Sequence, residues 1–448
     1  MLPTLLKYLD RRVPRYTSYP TAMQFGPEID ARAYERWLAT FSDTTPVSFY
    51  VHVPFCAQLC LYCGCHTTAV RHYAPIQAYA ELLLREIAIV GGFLGGRSAS
   101  HLHWGGGTPT MLAAHDFRAI MAALRANFTF ASAAEITIEI DPRTVTREYV
   151  TQLAEAGITR ASLGVQDFDA RVQMAVNREQ SFERTARVAD WLRRAGIGSI
   201  NLDLMYGLPY QSTASVEATA HRALALDADR IVLFGYAHVP WMKRHQRLIP
   251  EAALPGSSER FAQSRAAADV LIASGYQPIG LDHFAKADDL MAQRQRAGRL
   301  RRNFQGYTTD ESRTLIGFGA SAIGTFPDGY VQNTPSAVAY RTAIRAGGLA
   351  AARGCALTED DRLRRDVIER LMCDLYVDLA ERCAAHNSSA DGFAAELAKL
   401  DALANDGLVE RSGYMISIPE RARPFIRTIC AAFDAYLSED ETRLSRAS

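Results

Sequence analysis

Four of the eight cysteines in this 448-residue sequence stand within ten residues, in the segment CAQLCLYCGC. They are Cys56, Cys60, Cys63 and Cys65, and the first three have the spacing C-x3-C-x2-C. Thiolates bind soft metals, and one short loop can wrap a metal cluster from three directions. The spacing favours an iron–sulfur cluster, with zinc and a redox-active CxxC pair as the alternatives.

The two alternatives account for less of the pattern. Structural zinc usually draws four ligands from two separated arms of sequence, and no second arm is evident. The other cysteines are scattered and fit small buried residues of helices: Cys355, Cys373, Cys383 and Cys430. A thioredoxin-type pair needs no third cysteine. Three cysteine ligands would leave one iron of a four-iron cluster open to another molecule.

The composition and the N-terminal sequence limit the kinds of partner and the cellular compartment that we expect. The 49 basic side chains balance 49 acidic ones, so nothing favours a nucleic-acid partner. The N-terminus lacks the basic region and apolar run of a signal peptide, and no uncharged apolar stretch approaches the roughly 20 residues of a membrane helix. We expect a cytoplasmic protein without a membrane partner, in which thiols stay reduced.

The elements that must position the cysteines alternate between strand and helix. Strands are predicted over 47–53, 101–106, 135–141, 161–166, 199–207, 230–237 and 277–285, and helices over 78–94, 113–128, 147–157, 182–196, 214–227 and 257–275. Such alternation forces parallel strands, whose carboxyl ends carry the chemistry. Cysteine, glycine or polar residues follow or end nearly every strand: Cys56, Gly105 to Gly107, Asp141, Gln166, Asp203 and Asp282. A ring of strand ends facing one cavity favours an α/β fold with a partial TIM-like barrel over a doubly wound sheet.

Three regions are predicted along the chain. Residues 1–45 form an N-terminal arm, residues 46–345 form the partial barrel and its extension, and residues 346–448 form a mostly helical C-terminal domain. The last region contains a helix, a short hairpin and another helix, a pattern that also occurs in nucleic-acid modules. Its mixed charge signs argue against that use.

The cysteine spacing after a strand resembles the radical S-adenosylmethionine (SAM) superfamily. Further segments resemble one family within it, the oxygen-independent coproporphyrinogen III oxidases: PRYTSYPTA at 14–22, LHWGGGTPT, EITIEIDPR, SLGVQDFD, NLDLMYGLP, RRNFQGYTT and GFGASAIG. The resemblance spans nearly all of residues 11–325. Two alternatives remain: a related haem-binding chaperone, which typically lacks Cys65 and the arm motif, and another radical SAM reaction such as methyl transfer.

The resemblance implies the cofactors and their ligands. A [4Fe-4S] cluster would be bound by Cys56, Cys60 and Cys63, with SAM on the open iron as the source of a 5′-deoxyadenosyl radical. The family binds two SAM molecules. Matching contacts to the first are Tyr50, Gly106, Glu139, Ala237 and Ile323, and matching contacts to the second are Tyr62, Gly107, Thr108, Gln166, Arg178 and Asp203.

The resemblance also implies the reaction. Two propionates of coproporphyrinogen III would be oxidatively decarboxylated to vinyl groups, giving protoporphyrinogen IX in anaerobic haem biosynthesis. The family suggests a monomer, served by an electron donor and an electron acceptor that the sequence does not identify. Because the substrate carries four propionates, cationic side chains should line its pocket, and Arg15, Lys286 and Arg302 are candidates. Cys65 and His52 are candidate catalytic residues.

Residue chemistry alone leaves simpler interpretations open. The glycines at 105 to 107 could make a tight turn, and Glu139 could pair with a buried arginine. Arg178 could lie on the surface and Tyr62 in the core. His52 could be a hydrogen-bonded core histidine, and Cys65 a structural thiol.

Overall fold

The computed structural model describes residues 3–42 and 44–437, and its centre is one sheet of twelve strands. Numbered along the chain, the strands are β1 Val47–Val53, β2 Ser98–Gly106, β3 Thr129–Ile140, β4 Arg160–Gln166, β5 Ser199–Tyr206, β6 Arg230–Gly235, β7 Gln277–Ile279, β8 His283–Ala285, β9 Leu315–Phe318, β10 Ile323–Phe326, β11 Gly329–Asn333 and β12 Ala351–Ala356. Their order across the sheet is β12-β11-β10-β9-β1-β2-β3-β4-β5-β6-β8-β7.

Seven neighbouring strands, β9 and β1 to β6, run parallel. A helix follows each of β1 to β6: α1 Ala74–Leu94, α2 Ala114–Asn127, α3 Arg147–Glu155, α4 Phe182–Arg194, α5 Thr213–Leu224 and α6 Ser257–Ala273. On β1 the apolar residues Val47, Phe49, Val51 and Val53 belong to the main core. The alternate residues therefore face the barrel interior. The predicted partial barrel and its first six strand–helix units are confirmed.

The predicted seventh parallel strand, 277–285, is wrong. The segment is an antiparallel hairpin in which β8 pairs with both β6 and β7. Gly280 turns the chain with φ +53°, and an added Cβ there would lie 1.9 Å from the ring of Tyr307. Asp282 therefore lies at a hairpin turn rather than at the end of a parallel strand.

The opposite edge of the sheet is also antiparallel. Strands β10, β11 and β12 pair in sequence beyond β9. Strand β12 begins at Ala351, after the predicted boundary at 345, and belongs to the main sheet. Two small ribbons lie outside the main sheet, Phe55–Cys56 with Thr68–Ala69 and Arg301–Asn303 with Gly306–Thr308.

The remaining α-helices lie around the barrel and in the C-terminal region. They are Ala31–Thr40, Ala170–Ala175, Leu290–Arg296, Ala337–Arg345, Glu359–Asp374, Leu379–Ala385, Ala394–Asn405 and Ile426–Cys430. The helix Glu359–Asp374 ends at Leu375, whose φ of +60° is left-handed. The strands Tyr376–Asp378, Glu410–Ser412 and Met415–Ser417 form a separate small sheet. No helix in the described ranges is both long and apolar enough to cross a bilayer.

The N-terminal arm shares a core with the C-terminal region. Arm residues Leu9, Val13 and Tyr19 belong to the same hydrophobic cluster as Ile368 and Phe425. Residues 438–448 of the predicted C-terminal domain lie outside the described ranges. Because both ends of the chain contribute to this cluster, the arm is fixed over the barrel by buried apolar contacts.

Candidate active site

The three motif cysteines lie on the loop after β1, at the carboxyl edge of the parallel strands. The loop is closed at its base, where Thr68 N donates to Pro54 O at 2.8 Å and Val70 N donates to Cys56 O at 3.0 Å. Within the loop, Cys63 N donates to Cys60 O at 3.1 Å. The backbone therefore folds Cys56, Cys60 and Cys63 into one short excursion.

Hydrogen-bond donors surround the sulfurs. The Cys60 Sγ atom lies 3.5 Å from both Arg143 Nη2 and Arg178 Nη1. The Cys56 Sγ atom lies 3.2 Å from the Thr67 hydroxyl and 3.5 Å from the Thr108 hydroxyl. Cations and hydroxyls stabilise thiolates, which are the form that binds metals.

Cys65 changes the acidity of Cys63 through a hydrogen bond between their side chains. A hydrogen bond from the Cys65 thiol, together with the charges of Lys243 and Arg178, lowers the pKa of Cys63 to about 7. The same hydrogen bond, together with the negative charges of Cys63 and Glu139, raises the pKa of Cys65 well above its usual range. Cys65 is therefore a donor at neutral pH, whereas Cys63 is predisposed to be a thiolate ligand.

An iron–sulfur cluster and a single metal ion make different demands on the positions of their ligands. Within residues 3–42 and 44–437, no three His, Cys, Asp or Glu side chains are grouped to hold one metal ion. Ligands of one zinc ion must all lie about 2.3 Å from the same point. Ligands of a four-iron cluster bind separate irons and need not converge.

The three glycines at the end of β2 are required by close packing. An added Cβ on Gly105 would lie 2.8 Å from Glu139 Oε1, and one on Gly107 would lie 2.6 Å from the Phe55 carbonyl oxygen. Gly106 has φ +117°, and an added Cβ would lie 2.8 Å from the His52 ring. A tight turn alone does not explain these glycines, because an added Cβ at each position would contact the cysteine loop or a side chain of the site.

Glu139 and three aromatic side chains form a polar group inside the barrel. Tyr50 stacks on His103 with ring centroids 5.8 Å apart, and its hydroxyl lies 2.9 Å from His52 Nδ1. Glu139 Oε1 lies 3.1 Å from His103 Nε2, and its other oxygen accepts a hydrogen bond from Gly106 N at 3.3 Å. The partner of Glu139 is a histidine and not the arginine of the simpler interpretation. Its side chain is 40% exposed, so its carboxylate is accessible to a ligand.

Both nitrogens of His52 are engaged within the protein. Its Nε2 atom lies 2.9 Å from the carbonyl oxygen of His66, and its Nδ1 atom faces the hydroxyl of Tyr50. Burial lowers the pKa of His52 to about 4, so the ring is neutral at physiological pH. This geometry favours the core-histidine interpretation, in which His52 holds Tyr50 and the end of the cysteine loop in place.

The candidates for a second SAM molecule lie on the neighbouring strands. Gln166 ends β4 with φ +70°, and its buried Oε1 has no hydrogen-bond partner in the described part of the chain. Asp203 lies in the interior of β5, where Ser162 Oγ and Asn201 Nδ2 donate to it, both at 2.8 Å. Burial raises the pKa of Asp203. A left-handed non-glycine residue with an unpaired amide is the kind of feature that marks a ligand site.

Arg178 is buried, so its interpretation as a surface arginine is wrong. Only 6% of it is exposed, and its guanidinium donates to Gly164 O at 2.6 Å and lies 3.5 Å from Asp141 Oδ2. Tyr62 packs beside a small apolar cluster that includes Val172 and Tyr236. Arg178 therefore connects the β4 end to the cysteine loop.

The remaining candidates occupy different positions around the mouth of the barrel. Thr108 is buried and contacts Cys56, whereas Ala237 lies two residues beyond the end of β6. Ala237 also lies on the wall of the large cavity described next. Ile323 begins β10 and is partly buried beside Tyr330.

A cavity of about 760 Å³ opens between the cysteine loop, the arm and the C-terminal region. Cys65 lies on its wall and is exposed. Three carboxylates line it, from Glu251, Asp282 and Glu420, against seven arginines: Arg12, Arg15, Arg260, Arg265, Arg302, Arg423 and Arg427. The excess of cations suits a ligand that carries several carboxylates.

Three of these arginines are close enough to repel one another. Burial, and then the charge of Arg15, lowers the pKa of Arg427, and Arg302 lowers it further. Arg302 Nε donates to Tyr16 O at 3.2 Å, while its buried Nη1 has no hydrogen-bond partner within the described residues. A bound carboxylate would relieve this repulsion and pair the free donor.

Lys286 does not belong to the cavity. It follows β8 at the amino-terminal edge of the parallel strands, where its Nζ lies 2.7 Å from Asp227 and 3.9 Å from Asp229. The antiparallel hairpin places it there, because β8 runs away from the carboxyl edge. The prediction that Lys286 contacts a propionate is therefore wrong.

Several site residues were missed from the sequence. Arg143 lies two residues after the end of the predicted strand 135–141. Its position could have identified it as a site residue, because a cation next to a polar strand end faces the same cavity. Arg260 and Arg427 lie on helices far along the chain, and only their packing brings them to the cavity.

Comparisons with known proteins agree with the site. The model of the radical SAM superfamily matches residues 50–223. The oxygen-independent coproporphyrinogen III oxidase of Bradyrhizobium diazoefficiens is 49% identical over 443 residues, which cover 99% of this chain and 98% of that protein. The protein of the same name from Paracoccus denitrificans is 43% identical over 96% of both chains. Among solved structures, coproporphyrinogen III oxidase (HemN) from Escherichia coli, a radical SAM enzyme, superposes with a TM-score of 0.91 at 40% identity, covering 95% of this chain and 100% of that one. The chain therefore belongs to the oxygen-independent coproporphyrinogen III oxidase family of the radical SAM superfamily.

Proposed function

We propose that this protein oxidatively decarboxylates two propionate side chains of coproporphyrinogen III to vinyl groups, giving protoporphyrinogen IX without oxygen. The main support for this proposal is that the cysteine loop and a set of arginines lie around the same cavity. A cysteine loop suited to a [4Fe-4S] cluster lies at one side, and seven arginines lie around the remainder. The volume of about 760 Å³ is in the range of sites that enclose whole cofactor-sized ligands.

Cys56, Cys60 and Cys63 would hold the cluster. When bound, the cluster and SAM supply the one-electron reduction and the radical that removes a hydrogen atom from the substrate. Arg143 and Arg178 stabilise the negative charge on Cys60, since both guanidiniums lie 3.5 Å from its sulfur.

The family resemblance implies two SAM sites, and we infer their positions from polar groups on neighbouring strands. The first site would use Tyr50, Gly106 and Glu139, because the carboxylate of Glu139 is accessible and its glycine neighbours permit close approach of a ligand. The second would use Gln166 and Asp203 on β4 and β5, with Tyr62, Gly107, Thr108 and Arg178 around them. Ala237 and Ile323 would contact the first molecule from the far strands.

The arginines would orient the substrate by its propionates. Arg15 and Arg302 approach the cavity from the arm and from the ribbon 301–308, and Arg427 approaches it from the C-terminal region. A propionate carboxylate bound between these arginines would reduce the repulsion between their charges and accept charge-assisted hydrogen bonds from them. Cys65 lies on the same wall as a protonated thiol, which makes it a candidate for contact with the substrate.

The arm forms part of the wall of this cavity through Arg12, Arg15 and Thr17. Arg427 Nε donates to Pro14 O at 2.9 Å, and Tyr16 OH donates to Asp434 at 3.0 Å, so the arm is fixed to the C-terminal region beside the cavity. A closed cavity prevents a reactive intermediate from being quenched by solvent.

The test combines reconstitution with product analysis. The protein is loaded anaerobically with iron and sulfide, and electron paramagnetic resonance (EPR) spectra are compared with and without SAM. Reduced enzyme is then incubated with coproporphyrinogen III, and the tetrapyrroles are separated by chromatography. We expect a SAM-dependent change in the cluster signal and conversion to protoporphyrinogen IX. Unconverted substrate together with tight haem binding would instead indicate the chaperone. Size-exclusion chromatography tests the expected monomer.

A further inference from the structure

Large apolar side chains are exposed in the segment 241–248, which follows β6. Trp241 is 51% exposed, Met242 is 66% exposed and Leu248 is 71% exposed. Arg244 and Arg247 are exposed between them. We call residues 241–248 the 241–248 patch. An apolar surface interleaved with cations is typical of protein interaction sites.

The inner side of this patch contacts the cysteine loop directly. Lys243 Nζ donates to the carbonyl oxygen of Cys65 at 2.9 Å, and His245 Nε2 lies 2.8 Å from the carbonyl oxygen of Cys63. Gln246 Nε2 donates to the carbonyl oxygen of Tyr62 at 3.0 Å. The same short segment therefore presents side chains to solvent and holds the backbone of the loop that would bind the cluster.

The charged side chains of the patch and of the sequence stretches that form it and the cysteine loop are all basic. The sequence has no Asp or Glu between residues 44 and 80, which include the cysteine loop, or between residues 230 and 250. The nearest carboxylate after the patch, Glu251, lies 3.2 Å from His238 Nε2. A partner for this face should therefore be acidic.

We propose that the 241–248 patch docks a small acidic protein that carries single electrons. This inference rests on the proposed function, which requires an external electron for the cluster. In the docked complex the carrier would lose one electron, which the cluster held by Cys56, Cys60 and Cys63 would gain. The contacts of Lys243 and His245 with the cysteine loop make this surface a short route from solvent to that group.

A membrane surface is the less favoured occupant. The helical part of the patch, Arg244–Leu248, is a 3-10 helix of five residues. Helices that lie in a lipid interface are longer and present a continuous apolar face.

The proposal is tested with the double substitution Arg244→Glu and Arg247→Glu in the reconstituted enzyme. A matched control carries Arg341→Glu and Arg345→Glu, two exposed arginines of the helix Ala337–Arg345. The probe is a flavodoxin, an acidic one-electron carrier. Its Kd is measured by calorimetry at two salt concentrations, and SAM cleavage is measured with reduced flavodoxin and, separately, with dithionite.

We expect the patch variant to weaken flavodoxin binding at least tenfold and to remove most of its salt dependence. Its rate with dithionite should stay at the wild-type level, and the control variant should behave as wild type in every assay. Unchanged flavodoxin affinity in the patch variant would overturn the proposal. Lost binding to anionic lipid vesicles with unchanged flavodoxin affinity would assign the patch to a membrane instead. Failure of the wild type with dithionite would refute the proposed function and not the docking surface.

Discussion

Arg302 gives the sharpest test of how the substrate is held. Its Nη1 is buried without a hydrogen-bond partner in the described chain, and its guanidinium lies 4.3 Å above the ring of Tyr307. The stacking fixes the direction of the guanidinium, and the free donor is available to a propionate. We expect Arg302→Gln to weaken substrate binding.

The size of the effect follows from the chemistry of the pair. Removing one partner of a buried, hydrogen-bonded charge pair costs about 2–5 kcal/mol. Glutamine keeps one donor, so the lower end applies, and about 2 kcal/mol corresponds to a roughly 30-fold fall in kcat/KM. The arginines bind the unreactive propionates equally strongly in the enzyme–substrate complex and in the transition state. The loss should therefore appear mainly as a higher KM.

The variant should fold normally. It loses the hydrogen bond from Arg302 Nε to Tyr16 O, at 3.2 Å, but it also removes a cation that lowers the pKa of both Arg15 and Arg427. These effects oppose each other, so we expect only a small change in Tm.

The assay is steady-state conversion of coproporphyrinogen III by reconstituted enzyme under anaerobic conditions. Lys286→Gln is the matched control, because Lys286 pairs with Asp227 at the far edge of the barrel. Its KM should equal that of the wild type. An unchanged KM in Arg302→Gln, with the cluster intact, would refute the reasoning.

Three further predictions concern the barrel. Gly106→Ala should abolish SAM binding, as measured by equilibrium dialysis, because the added Cβ would lie 2.8 Å from the His52 ring at a φ of +117°; retained affinity would contradict the packing argument. Glu139→Gln should weaken SAM binding roughly tenfold or more, since hydrogen bonds to charged groups contribute about 1.5–3 kcal/mol, and the SAM-induced change in the EPR spectrum reports it. Burial raises the pKa of Glu86 to about 7, although Tyr340 OH and Gly319 N both donate to it at 2.7 Å. Because the folded state holds this proton more tightly than the unfolded state, the contribution of Glu86 to stability should fall by about 3 kcal/mol between pH 4.5 and 7. Glu86→Gln should flatten that part of the Tm profile, and an unaltered profile would show that Glu86 does not titrate there.

The structure also changes how the arm should be tested. The sequence predicts that deletion of residues 1–22 leaves the cluster intact and abolishes decarboxylation. The arm contributes Leu9, Val13 and Tyr19 to the core that it shares with the C-terminal region, so deletion would also expose that core. Arg15→Gln tests the arm without disturbing this packing, and we expect a raised KM with an unchanged cluster signal.

The sequence by itself determined the local chemistry and the repeating architecture. The spacing of Cys56, Cys60 and Cys63 indicates a cluster because three thiolates on one loop leave an iron open. Alternating strands and helices predict parallel strands, since each helix must cross the sheet before the next strand begins. The two-residue period of a strand puts Tyr50 and His52 on one face, and their side chains are hydrogen-bonded to each other.

Only the tertiary structure decided which distant residues share the cavity. The hairpin at Gly280 reverses the chain and sends Lys286 to the opposite edge, although the segment reads as one more parallel strand. Arg302 and Arg427 reach the cavity because the arm and the C-terminal region pack into one core. Local patterns fix the period and the turns of each element. Contacts between elements far apart in sequence depend on how complete apolar faces are buried, and no short segment contains that information.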